Sequence, residues 1–232
     1  GMNQSIALAK AGVEVYHGGM IGKDGYAFID ACKEYGVHYD YIREAEGNTG
    51  HTIIQIDRNA QNSILLFAGT NDMLTESYVD EVIADFEEGD ILLLQNEVNR
   101  LPYMVDKAYE KGMQIALNPS PINENLKTIP MDLIDYFILN EIEGKEISGA
   151  ESEETETIMG KLKEKYPKAA FVLTLGEKGS WYFDETRCFK QEIYKVKAVD
   201  TTAAGDTFCG YFLSGLTKGK EIPEILKTAS AA

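Results

Sequence analysis

From residue 91 onward the chain alternates short apolar runs with amphipathic stretches of helical length, and that rhythm restricts the fold more than any other property. Ile91-Leu92-Leu93-Leu94 follows the turn Glu88-Gly89-Asp90 and reads as a strand buried on both faces. Leu101–Lys111 has helical spacing and stops at Gly112, a residue suited to a left-handed C-cap. Gln114-Ile115-Ala116-Leu117, Phe137-Ile138-Leu139 and Phe171-Val172-Leu173-Thr174 are further strand-like runs, with a helix expected over Thr155–Lys165. Strands separated by helices at this interval need crossover connections, and crossovers produce parallel pairing. The expected fold is therefore α/β, with a mainly parallel central sheet flanked by helices.

One segment breaks the rhythm. Thr52-Ile53-Ile54-Gln55-Ile56 and Ser63-Ile64-Leu65-Leu66-Phe67 flank the polar stretch at 57–62, which is a hairpin pattern. The expected organisation is an α/β core over 1–38 and 72–232, with a small β lid over 39–71 that covers a site or forms a dimer surface. An edge extension of the main sheet is the alternative reading of that hairpin.

Charge narrows the partners. The 232 residues carry 22 Lys and Arg against 38 Asp and Glu, a formal charge of −16, which repels nucleic acid and anionic membranes. An anionic substrate would need a local positive site built from backbone dipoles and a metal. Three scattered cysteines, Cys32, Cys188 and Cys209, make neither a disulfide framework nor a zinc knuckle, as in a reducing cytoplasm. The sequence shows no run of membrane-spanning length and no signal peptide, so a soluble intracellular protein is expected.

The densest chemistry lies in Asp200-Thr201-Thr202-Ala203-Ala204-Gly205-Asp206-Thr207-Phe208, after an apolar run ending at Val199 and before a helical pattern. A small-residue turn at a helix start points several N–H groups outward, with the positive end of the dipole behind them, which forms an anion site. Ala203, Ala204 and Gly205 are small enough for backbone to approach a phosphate. Asp206 beside that site is either a proton acceptor for an attacking hydroxyl or a first-turn residue that complements the dipole. Asn140-Glu141-Ile142-Glu143 directly follows a strand, where an amide and a carboxylate suit a water-mediated Mg²⁺ shell or simply begin an acidic helix. Thr174-Leu175-Gly176-Glu177-Lys178-Gly179 is a glycine turn. Gly19-Met20-Ile21-Gly22-Lys23-Asp24 has the wrong spacing for a P-loop and Asp where Ser or Thr belongs.

Together these segments resemble the ribokinase (PfkB-type) family of sugar kinases. The resemblance implies that Asp206 is the catalytic base and that Ala203, Ala204, Gly205 and Asp206 form the anion hole. It implies a potassium site at Asp200 and Thr202, a magnesium and phosphate site at Asn140 and Glu143, and a nucleotide loop at Thr174, Gly176 and Gly179. Asn3-Gln4-Ser5, with Gly12 and Gly22, resembles the family's N-terminal signature, so Asn3 is expected on the sugar, with Gly1 close to it and Glu97 as a further sugar contact. Asn118-Pro119-Ser120-Pro121 resembles the family's Asn-Pro-Ala-Pro turn. ATP, Mg²⁺ and K⁺ are the implied cofactors, a small sugar such as ribose the acceptor, and a homodimer through the lid the implied assembly. A nucleoside kinase on the same scaffold, or a binder that catalyses nothing, are the other readings. Against the family pattern the chain opens inside the first signature and stops before the last helices.

Overall fold

In a computed structural model, which describes residues 1–56, 62–196 and 202–232, the chain forms the expected layered α/β fold. The first half comprises α1 (Met2–Lys10), β1 (Tyr16–Ile21), α2 (Tyr26–Tyr35), β2 (His38–Glu44), β3 (His51–Ile56), β4 (Asn62–Phe67) and α3 (Glu76–Ala84). Next come β5 (Ile91–Gln95), α4 (Leu101–Lys111), β6 (Gln114–Asn118), β7 (Tyr136–Asn140), α5 (Glu141–Ser148), α6 (Thr155–Lys165) and β8 (Ala170–Thr174). β9 (Ser180–Phe183), β10 (Cys188–Gln191), α7 (Ala204–Thr217) and α8 (Ile222–Ala231) complete it.

The main sheet has the order β10-β9-β8-β7-β6-β5, with β5 to β8 parallel and β9 and β10 added antiparallel. Alternation along each strand sorts its side chains to two layers. Leu117, Phe137, Leu139, Phe171 and Leu173 pack on one face with Val105 of α4, Ile147 of α5 and Leu162 of α6. Ala116, Ile138, Ala170 and Val172 face the other way, onto Phe212 of α7 and Ile225 of α8. Strands buried on both faces must be apolar throughout, which is why these runs are unbroken in the sequence.

The other four strands lie outside that ladder. β1 and β2 form a separate parallel pair, and β3 and β4 an antiparallel hairpin with His51 opposite Phe67. Residues 39–44, expected at the start of the lid, lie in β2 and pair with β1, and the antiparallel strands within 39–71 are 51–56 and 62–67. The lid is anchored at its base: Thr49 donates its N–H and hydroxyl to Asp24 Oδ1 at 2.8 and 2.7 Å. Ile53, Leu65, Leu66 and Phe67 are exposed on it.

β1 and β5 lie in different sheets and do not pair. Their starts meet through the rings of Tyr16 and Phe86, whose centroids are 5.6 Å apart. Their ends meet through the single helical turn Gly69–Met73: Thr70 donates to the Met20 carbonyl at 2.7 Å, and the Asn71 carbonyl accepts from Asn99 N–H at 3.2 Å. Between the two strands lies a cleft of about 1770 Å³.

α1 ties the two parts together. It packs on α7 at Gly210, where an added Cβ would stand 2.5 Å from the Ala7 Cβ and 2.9 Å from the Leu8 nitrogen. Only a residue without a side chain permits that approach. Among the described residues no helix is long and apolar enough to cross a membrane.

Candidate functional site

The close α1–α7 crossing decides where the two helix starts fall. Asn3, in the first turn of α1, donates from Nδ2 to Oδ2 of Asp206, in the first turn of α7, at 3.1 Å across 203 positions of sequence. The N-cap of α7 is Ala203, which holds a left-handed backbone at φ 61° and offers no side-chain hydrogen bond to the cap. The N–H groups of Ala204, Gly205 and Asp206 therefore lack intrahelical acceptors. An added Cβ at Gly205 would meet nothing within 4 Å among the described residues, so nothing there crowds the side of the first turn. N–H donors at a helix start, with the positive end of the dipole behind them, suit an anion, and Asp206 sits beside them. Thr202 is exposed just before it; Asp200, and the apolar run ending at Val199, lie outside the described residues.

Beside Asn3 the chain's amino group contacts Gln95 Oε1 and lies 3.3 Å from Glu97 Oε2, which brings Gly1, Asn3, Asp206 and Glu97 into one neighbourhood. Sequence reasoning passed over His17 and named Gln4 and Ser5 only within the signature Asn3-Gln4-Ser5. Gln4, buried, donates to Asn118 Oδ1 at 3.0 Å. Ser5 Oγ and His17 Nδ1 share a hydrogen bond of 2.8 Å. Burial, helped by the positive amino terminus, pushes the His17 imidazole down to about 4, so it is neutral near pH 7.

Asn140 and Glu143 form a second group, at the end of β7 and the start of α5. Asn140 Oδ1 accepts from the Glu143 N–H, and Glu143 Oε2 from the Asn140 N–H, both at 2.9 Å, so the pair is a reciprocal capping box. The Asn-x-x-Glu spacing is itself the sequence signature of such a cap. Glu143 is only 3% exposed, and its Oε1 accepts from Ser120 Oγ at 2.5 Å. Thr174 is the register partner of Asn140 on β8 and donates to the Leu139 carbonyl at 3.2 Å. In the following turn Gly176 has φ +54° with open space around it. Gly179, at φ +88°, is pressed against the Gln191 carbonyl, 2.1 Å from where a Cβ would stand. Its small size therefore serves contact with the chain's own backbone. Lys178 pairs with Glu141 at 3.1 Å and links the turn to α5.

Among the described residues no three His, Cys, Asp or Glu side chains gather to ligate a metal directly. The Asn140–Glu143 group is an oxygen donor set in which each carboxylate oxygen keeps a second lone pair. That chemistry fits a hard cation held through water and phosphate oxygens, the usual manner of Mg²⁺. No hydrogen bond among the described residues joins Asp206 or Asn3 directly to Asn140 or Thr174.

Comparison with known proteins places this arrangement. Residues 1–232 match the pfkB family carbohydrate kinases. The chain is 31% identical over 242 residues to the ribokinase of Haemophilus influenzae, covering 100% of this chain and 78% of that one. The Cryptococcus neoformans ribokinase structure in complex with ADP superposes with a TM-score of 0.84 at 29% identity, over 100% of this chain and 79% of that one. The Arabidopsis thaliana ribokinase structure, complexed with ribose and ATP, gives 0.84 at 27%, over 100% of this chain and 78% of that one. A match over every residue, joined to a shared fold at this level, fixes the membership: the chain belongs to the pfkB family of carbohydrate kinases and is a sugar kinase of ribokinase-like fold.

Proposed function

We propose that the chain transfers the γ-phosphate of ATP to a hydroxyl of ribose or a similar pentose. The observation that carries this reading is the small-residue start of α7, with Asp206 in its first turn 3.1 Å from Asn3. The similarity to ribokinases crystallised with ribose and ATP or with ADP supports the choice of ligands. Asn3 and Glu97 hold the sugar, and Asp206 accepts the proton of the attacking hydroxyl. The hydroxyl oxygen bonds to the γ-phosphorus as the bond to the β,γ-bridging oxygen breaks, and ADP leaves. Ala203, Ala204, Gly205 and Asp206 steady the charge on the transferring group through their backbone. Thr174, Gly176 and Gly179 border the nucleotide. Mg²⁺, held through water by Asn140 and Glu143, supplies charge neutralisation on the phosphates when bound. A potassium ion at Asp200 and Thr202 belongs to the same proposal.

The lid over 39–71 closes on the sugar from a core of 1–38 and 72–232, excluding water from the transfer. Its exposed Ile53, Leu65, Leu66 and Phe67 support a homodimer formed through it. A cytoplasmic location accords with three free cysteines, Cys32, Cys188 and Cys209.

ADP release is measured across pentoses, hexoses and nucleosides with Mg²⁺ and K⁺, beside an Asp206→Asn control. Turnover should appear with a pentose and fall about 10²- to 10⁴-fold in the variant, the range general-base catalysis supplies, while nucleotide affinity stays within twofold. Normal turnover by Asp206→Asn rejects the role of the base. Preference for a nucleoside or hexose rejects the pentose.

A further inference from the structure

The turn at 118–121 lies between the two groups of the site and contacts both. Asn118, the last residue of β6, accepts on Oδ1 from Gln4 Nε2 at 3.0 Å and from Gln95 Nε2 at 3.1 Å. Its Nδ2 donates to the Ile138 carbonyl of β7 at 2.9 Å, so all of this amide's contacts run to fixed elements. Gln95 is in turn bonded to the amino group of Gly1, two residues before Glu97. Two residues beyond Asn118, Ser120 sends its hydroxyl to Glu143 Oε1 at 2.5 Å. The Ser120 carbonyl accepts from Asn96 N–H at 2.9 Å, and the Pro121 carbonyl from Asn96 Nδ2 at 2.6 Å, next to Glu97.

We propose that Asn118 and Ser120 are positioning residues: Asn118 fixes the amides on the sugar side, Ser120 fixes Glu143, and their shared turn sets the separation of the two halves. The inference rests on the reading of those halves as sugar and metal sides. A carboxylate held at both oxygens keeps one orientation for its remaining lone pairs. Losing one tether lets it turn and weakens any water shell it orders.

The test uses calorimetry and needs no turnover. Binding of a non-hydrolysable ATP analogue is titrated over a Mg²⁺ series, and ribose binding is measured separately, for the unaltered chain, Ser120→Ala, Ser120→Thr and Asn118→Ala. Ser120→Ala should raise the Mg²⁺ midpoint about three- to tenfold, below the ten- to hundredfold typical of direct second partners of a metal ligand. Ser120→Thr, which keeps the hydroxyl, should return it to within twofold, and neither should move ribose affinity. Asn118→Ala should weaken ribose binding about fivefold or more, the scale of one to two lost hydrogen bonds, with the Mg²⁺ midpoint unchanged. The proposal is overturned if Ser120→Ala leaves the midpoint in place, if threonine fails to restore it, or if each variant shifts both ligands equally as a general loosening would. An unaltered chain that binds both ligands yet makes no sugar phosphate removes the kinase reading, while the binding arms still decide the positioning.

Discussion

Two glycine-to-alanine substitutions separate helix propensity from helix contact. Gly160, inside α6, has nothing within 4 Å of an added Cβ, whereas a Cβ at Gly210 would stand 2.5 Å from the Ala7 Cβ. Each alanine gains about 0.8–1 kcal/mol of intrinsic helix propensity. At Gly160 that gain is the whole effect. At Gly210 carbons at ordinary contact need about 3.5–4.0 Å, so α1 and α7 must part by roughly 1 Å. Overpacking of this kind costs about 1–3 kcal/mol. For a domain of this size about 1 kcal/mol moves Tm by roughly 2–4 °C. Gly160→Ala should therefore raise Tm by about 2–4 °C, and Gly210→Ala should fall below it by about 2–12 °C. The same displacement carries Asn3 off Asp206, whose 3.1 Å contact has little slack. Misplacement by about 1 Å can cost up to 10²-fold in rate, so turnover should drop in Gly210→Ala and stay level in Gly160→Ala. Thermal denaturation and ADP release on the same preparations read both. Equal rises in Tm with equal turnover would refute the claim that the crossing sets the site.

Further outcomes follow from the polar contacts. His17 is neutral in the fold at about 4 but titrates near 6.5 when unfolded, so the unfolded chain binds the extra proton and stability falls as pH drops from 6.5 toward 4. Between pH 7 and 5 the loss is about 2 kcal/mol, and His17→Gln should flatten it in urea unfolding; an unchanged slope rejects the assignment. Asp24 lies below the usual carboxylate range through the Thr49 hydroxyl and N–H, so this contact is present at neutral pH and lost as acid protonates it. Asp24→Asn should raise proteolysis within the lid at pH 7 while leaving cleavage at the α8 end unchanged. Asn140→Ala removes half of the capping box and should cost about 1 kcal/mol in denaturant midpoint analysis.

The strands β5 to β8 and the helices α4 and α6 were readable almost to the residue, because burial on both faces demands continuous apolar runs and helices between them demand amphipathic ones. β1 escaped notice, since Tyr16-His17-Gly18-Gly19 mixes polar and small residues in a strand that borders an open cleft. In the site, the signature around Asp206 and the Asn-x-x-Glu pair stand out locally. What no local pattern reveals is their assembly. Asn3 meets Asp206 only because Gly210 admits Ala7, and Asn118 gathers Gln4 and Gln95 from two other elements. Gly179 was expected to admit a nucleotide, but its closest neighbour is the Gln191 carbonyl.

The bond between Asn3 and Asp206 has a bearing on how the chain acquires its shape in time. Joining residues 203 positions apart carries a closure entropy of about 5 kcal/mol, against about 3 for neighbouring strands such as β5 and β6. The central parallel strands can therefore condense on local crossovers before the two ends meet. On the ribosome the contact has to wait until α7 has been made, about 200 residues after α1. A nascent chain would thus hold most of its sheet before Asn3 and Asp206 could meet.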